Sequence, residues 1–124
     1  VIPNWTVFWI LACREYAAHT GNEAFAANIW PAVRHTLTHY LEHIDDSGLL
    51  NMAGWDLLDW APIGQPYEGI VTHQNLFLAK ALRDSRALAA AAGATDEADA
   101  FAARADRLAE AIYAVLWDEE KRAY

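Results

Sequence analysis

Gly54-Trp55-Asp56-Leu57-Leu58-Asp59-Trp60-Ala61-Pro62 puts two indoles and two carboxylates into a long connection between helical runs. Turn-forming residues punctuate it, with Gly54 near its start and Pro62, Gly64 and Pro66 close behind. Connections of this length are uncommon in a compact domain unless they bind or cover something. Tryptophan offers a flat apolar face and one N–H donor, and aspartate accepts from paired hydroxyls, so the segment suits a carbohydrate. The competing reading is that the same indoles fill the core beneath the loop, since Trp is largely buried on average.

The segments on either side are helical. A first helix is expected from Trp5 to Thr20, with Asn4 as its N-cap and Gly21 as its stop. Trp5, Trp9, Cys13 and Tyr16 fill one side while Val7, Phe8, Ile10 and Leu11 spread round the others, so this helix reads as buried on several faces. Asn22 caps a second start. After a short turn over residues 23–28 the pattern runs through Pro31 to about Ile44, with Val33, Leu37, Tyr40, Leu41 and Ile44 on one stripe. A third helix, again apolar on several sides, is expected from about Ile70 to Ala92 and ends at Gly93. Thr95 caps a fourth, whose stripe is Phe101, Ala105, Leu108, Ile112, Val115 and Leu116.

Buried and amphipathic helices thus alternate. The turns at Gly21-Asn22 and 93–95 are short, whereas the connection at 45–69 is long. Inner helices wrapped by outer ones give this order, and stacked helical hairpins are the natural repeat. Trp5, the 55–60 stretch and Trp117 then gather at the end where the long connections lie.

Composition narrows the partners. The 124 residues are 55% hydrophobic and 21% charged, a globular balance with the length of one domain. A formal net charge of -8, with nine scattered Lys and Arg, argues against nucleic acid and anionic membrane surfaces. No apolar run is long enough to span a bilayer. Cys13 has no second cysteine to pair with, reads as a small core residue and leaves the compartment open.

Other constellations carry less. Asp56 and Asp59, three apart, would share a face on a helical turn and could form an acid and base pair. His35, His39 and His43 repeat at a spacing suited to a shared metal, but no Cys or carboxylate cluster completes the set, so no metal is expected. Ser47 and Ser85 lack a nucleophile-elbow setting, and Cys13 lacks an electropositive one.

Seven segments taken together resemble the catalytic domain of bacterial alpha-L-rhamnosidases, which are six-hairpin glycosidases. They are Ile2-Pro3-Asn4-Trp5, Glu15-Tyr16-Ala17-Ala18-His19-Thr20-Gly21-Asn22, Trp30-Pro31-Ala32-Val33, Asp46-Ser47-Gly48-Leu49-Leu50, the Trp-Asp-x-x-Asp-Trp element of residues 55–60, Val71-Thr72-His73-Gln74-Asn75 and Leu116-Trp117-Asp118-Glu119-Glu120-Lys121. The resemblance implies an all-α fold, part of an (α/α)6 barrel of about two helical hairpins with one long aromatic-rich loop. Residues 1–124 would be a fragment of a single catalytic domain.

The implied reaction is release of terminal alpha-L-rhamnose with inversion, which holds an acid and a base roughly 6.5–9.5 Å apart with water between them. The family's acid and base segments have no counterpart in this chain, so the catalytic pair is expected outside it. Carried over as sugar-lining positions are Trp55, Asp59 and Trp60, then Asp56 and Trp5, and, at the start of an inner helix, Thr72 and Asn75, for which capping and helix packing are the competing reading. Asn4 stands where the family often has Asp, and Asp56 where it often has Asn. The resemblance implies a rhamnoside as substrate and no cofactor. The remainder of the parent barrel would be a partner, and exposed inner helices would favour self-association. The alternative is a non-catalytic helical-repeat module that binds carbohydrate or protein through its aromatic end.

Overall fold

The computed structural model describes residues 2–58, 60 and 66–124. Among these residues there are four helices: α1 (Pro3–Thr20), α2 (Glu23–Leu41), α3 (Thr72–Ala91) and α4 (Thr95–Leu116). They form two hairpins, α1 with α2 and α3 with α4, joined by the long connection 42–71. Among the described residues there are no strands, only isolated antiparallel bridges, of which Ile44 with Leu50 and Asn51 with Ile70 lie in this connection.

α3 is the pivot and packs against each of the other three helices. Its buried residues are Gln74 and then Asn75, Leu78, Ala81, Leu82, Ser85, Leu88 and Ala89, most of them recurring at three- and four-residue steps. Small residues let neighbouring helices approach, and Leu78, Leu82 and Leu88 interlock with Ile10, Val33, Leu37 and Leu108 in one continuous core. Each fully enclosed leucine contributes roughly 1.5–3 kcal/mol by leaving water. α4 presents Phe101, Ala105, Leu108 and Ile112 to α3. The last two members of its expected stripe depart, because Val115 is exposed and Leu116 only half-buried near the helix end.

Glycine closes two turns that other residues could not. Gly21, at φ 64°, ends α1 in the left-handed region and donates its N–H to Ala17 O at 2.9 Å. Gly48, at φ 79°, completes the turn after Asp45, and a Cβ there would lie 3.2 Å from the Ala111 Cβ. Both the backbone conformation and the close approach of α4 therefore select glycine.

Several local expectations change. α1 starts at Pro3 with Ile2 as its N-cap, and no side chain caps it. Asn4 lies inside the first turn with its amide turned into the protein. No turn interrupts residues 23–28: α2 begins at Glu23, capped by the Asn22 side chain, which accepts from Phe25 N at 2.9 Å. Pro31 consequently sits inside the helix, on an exposed position where water can reach the carbonyl it leaves unbonded. α2 stops at Leu41, and α3 starts at Thr72. Thr95 is the first residue of α4 rather than its cap, and the Ala94 side chain has nothing to offer.

α1 is not enclosed on all sides. Trp5, Trp9 and Tyr16 lie on an exposed aromatic face, while Val7, Ile10 and Cys13 face the core. Burial pushes the Cys13 thiol above its ordinary range.

Candidate functional site

The connection 42–71 is fastened at successive points. Asp45 closes its opening turn, accepting from Ser47 N at 2.8 Å and from the Ser47 hydroxyl at 2.5 Å. Next, Asn75 on α3 uses its whole amide on backbone: Oδ1 accepts from Leu50 N at 2.7 Å, and Nδ2 donates to Leu50 O at 3.2 Å and Val71 O at 3.0 Å. Gly54 N donates to Tyr67 O at 2.8 Å, drawing the two limbs together. Leu57 then plunges into the interior.

The tightest fastening is Asp56. Its carboxylate is fully buried, and Oδ1 is the focus of three donors. Asn4 Nδ2 on α1 donates at 2.5 Å, Gln74 Nε2 on α3 at 3.0 Å, and His73 Nε2 lies at 2.9 Å. An ionised carboxylate only accepts, so the shared geometry assigns the His73 hydrogen to Nε2. His73 Nε2 therefore cannot also accept from Asn4 Nδ2, and their 3.2 Å separation is a contact between two donors that share one acceptor. Three donors on one oxygen offset part of the cost of burying this carboxylate. Asn4 is itself held in place from below, because Tyr40 donates its phenol to the Pro3 carbonyl at 2.6 Å. Burial raises the Tyr40 phenol above its usual range, partly offset by a hydrogen bond with Thr6.

The two departures from the family pattern thus meet in one hydrogen bond, Asn4 to Asp56, which retains one amide and one carboxylate. Around that bond, among the described residues, three further buried acceptors have no partner: Asn4 Oδ1, Asp56 Oδ2 and Gln74 Oε1. This small, enclosed region is thus rich in acceptors.

The chain neighbours of the knot carry the indoles. Trp5 follows Asn4 and is 55% exposed; Trp55 precedes Asp56 and is 41% exposed; Trp60 is 79% exposed. Trp55 and Trp60 meet edge to face with centroids 5.9 Å apart. They do not plug the core. The knot therefore brings Asp56 and the neighbourhoods of Trp5 and Trp55 together, with Asn75 one turn into α3 as a backbone clamp. Asp59 lies outside the described residues. Trp117 forms a separate aromatic group, stacking on Tyr113 at 6.1 Å and meeting Tyr124 at 5.0 Å. His35 and His39 on α2 are exposed, and His43, just past the helix and half-buried, packs its ring edge to face on His39 at 4.9 Å. Among the described residues no three His, Cys, Asp or Glu side chains come together as metal ligands would.

His73 and Gln74 are absent from the sequence expectation. The signal that points to them is the uninterrupted polar run Thr72-His73-Gln74-Asn75 opening an inner helix, directly ahead of Leu76-Phe77-Leu78. Polar side chains buried at a helix start need partners, and here the partners come from the loop and from α1.

Two paired helical hairpins, with exposed tryptophans next to a buried, hydrogen-bonded carboxylate, are the arrangement of a helical-hairpin protein. The family described as bacterial alpha-L-rhamnosidase 6 hairpin glycosidase domain matches residues 1–124, and the chain belongs to that family. It is similar to the crystal structure of a GH78 family rhamnosidase of Bacillus sp. GL1, with a TM-score of 0.95 and 91% identity; the match covers 100% of this chain and 13% of that one. No curated protein matches. The chain thus spans 13% of the length of the rhamnosidase it resembles.

Proposed function

We infer that this chain supplies part of the sugar pocket of an inverting glycoside hydrolase that releases terminal alpha-L-rhamnose, with the catalytic carboxylates contributed from outside residues 1–124. The observation that carries this reading is the placing of Trp5, Trp55 and Trp60, exposed, on chain segments joined through Asp56. Rhamnose carries an apolar methyl group and several hydroxyls, so flat indoles beside buried acceptors complement both of its faces. Trp55, Trp60 and Trp5 stack on the sugar, Asp59 takes hydroxyls, and Asp56 holds the loop from beneath. Asn75 contributes by clamping Leu50 and so the base of the loop.

Asp56 is a poor general acid or base here. Its Oδ1 is saturated by three donors, and the group is sealed from solvent. Family membership and the 91% identity to a GH78 rhamnosidase support the choice of sugar and reaction. The test is hydrolysis of an aryl alpha-L-rhamnoside. The full-length protein containing this chain turns it over, and the 124 residues alone do not. Turnover by the 124 residues unaided overturns the placement of the catalytic pair outside the chain.

A further inference from the structure

We propose that His73 is a substrate-binding residue, with Asp56 fixing its ring so that Nδ1 accepts a hydrogen from a sugar hydroxyl. This rests on the rhamnoside reading and names a contact within that site. The imidazole is 26% exposed although its partner carboxylate is fully buried, so the ring is anchored at Nε2 and still reaches the surface. With Nε2–H committed to Asp56 at 2.9 Å, a neutral ring carries its lone pair on Nδ1. Among the described residues that nitrogen makes no hydrogen bond, whereas every other polar side chain of the run Thr72–Asn75 that is buried bonds to the loop or to α1.

Position supports the same role. His73 touches Asn4 and Asp56, the residues next to Trp5 and Trp55, so the ring sits at the seam between the two segments that carry indoles. Phe77, one turn along α3, lies 6.4 Å from it edge-on and is backed by Phe8 at 4.7 Å, which limits how far the ring can swing. An imidazole oriented by a buried carboxylate and stopped by a phenyl ring is preorganised, so little rotamer freedom is lost when a hydroxyl docks.

His73→Gln separates the two edges of the ring. The glutamine amide reaches Asp56 from about the place of Nε2–H, but nothing takes the place of Nδ1. In the full-length protein, this variant is expected to raise KM for an aryl alpha-L-rhamnoside about 5–10-fold, the worth of one hydrogen bond, with kcat changed far less and the thermal midpoint retained. Against monodeoxy rhamnosides, the wild type loses a similar factor on one analogue, and His73→Gln is indifferent to that same hydroxyl. Independently of any variant, the His73 Nδ1 resonance in the ¹⁵N spectrum of the wild type moves when L-rhamnose is added. An unchanged KM in His73→Gln, or an unmoved Nδ1 resonance while the wild type binds rhamnose, overturns the role of His73 and leaves the sugar pocket standing. A wild type that neither binds nor cleaves any rhamnoside overturns both.

Discussion

Asn4 and Asp56, far apart in sequence, share a buried hydrogen bond that joins the first turn of α1 to the aromatic loop. Gln74 and His73 reach the same oxygen from α3, so three segments distant in sequence are locked at one atom. Replacing Asp56 by Ala leaves these donors buried without an acceptor. The expected loss is about 3 kcal/mol, read as a lower urea midpoint with an unchanged slope. A loss no larger than that of a surface substitution would show the knot to be dispensable.

Exchanging the two groups tests whether the pair, rather than either residue, is what the fold requires. Asn4→Asp alone sets two carboxylates against each other and is expected to cost about 3–5 kcal/mol. Asp56→Asn alone keeps an acceptor and costs about 1 kcal/mol. Combining them restores one amide and one carboxylate, so the double variant is expected to be more stable than Asn4→Asp. A double-mutant cycle measures this coupling, and simple additivity contradicts it.

Exposed indoles should matter to binding more than to folding. Trp60→Ala removes a side chain that is mostly in solvent and has an edge-to-face contact with Trp55, so stability is expected to fall by no more than about 1 kcal/mol. KM for an aryl alpha-L-rhamnoside is expected to rise about tenfold, through loss of about 1.4 kcal/mol of stacking. Thermal melts and steady-state kinetics on the same preparation separate the two effects.

The opening turn of the loop is sensitive to acid. Hydrogen bonds from the Ser47 hydroxyl, the Ser47 backbone N–H and the Asn51 side chain hold the Asp45 carboxyl below its usual range. A depressed folded-state value means the turn is stabilised above the ordinary carboxylate range, and that this contribution is lost as pH falls through the lowered value. Amide exchange at Ser47 and Gly48 is therefore expected to quicken there relative to neighbouring helical amides. Asp45→Asn should abolish that pH dependence.

In the core of α3, Leu82 is completely enclosed, and Leu82→Ala is expected to cost about 2–5 kcal/mol by transfer and cavity terms together. Lys80→Ala, which removes an exposed partner of Asp84, should cost less than about 1 kcal/mol. Denaturant unfolding of the two variants gives the comparison.

Much of this protein is set by local pattern. The helical periodicity, the stops at Gly21 and Gly93, the turn at Asp45–Gly48 and the clustering of tryptophan beside acid in one long connection all follow from near-neighbour sterics and apolar spacing, which a linear sequence records directly. The family, too, was legible from motifs spread along the whole chain. Tertiary structure decided what periodicity cannot encode. Asn4 looks like a cap and is a buried donor, because Pro3 and Ile2 start the helix earlier and the Tyr40 phenol anchors that start. Trp55 turns outward while Asp56 turns in, since adjacent residues on an irregular segment take their directions from what α1 and α3 offer. His73 and Gln74 join the site only because a loop from another hairpin delivers a carboxylate to the start of their helix. Convergence of groups on one oxygen depends on long-range packing, and nothing in the spacing of residues along the chain specifies which of them will meet.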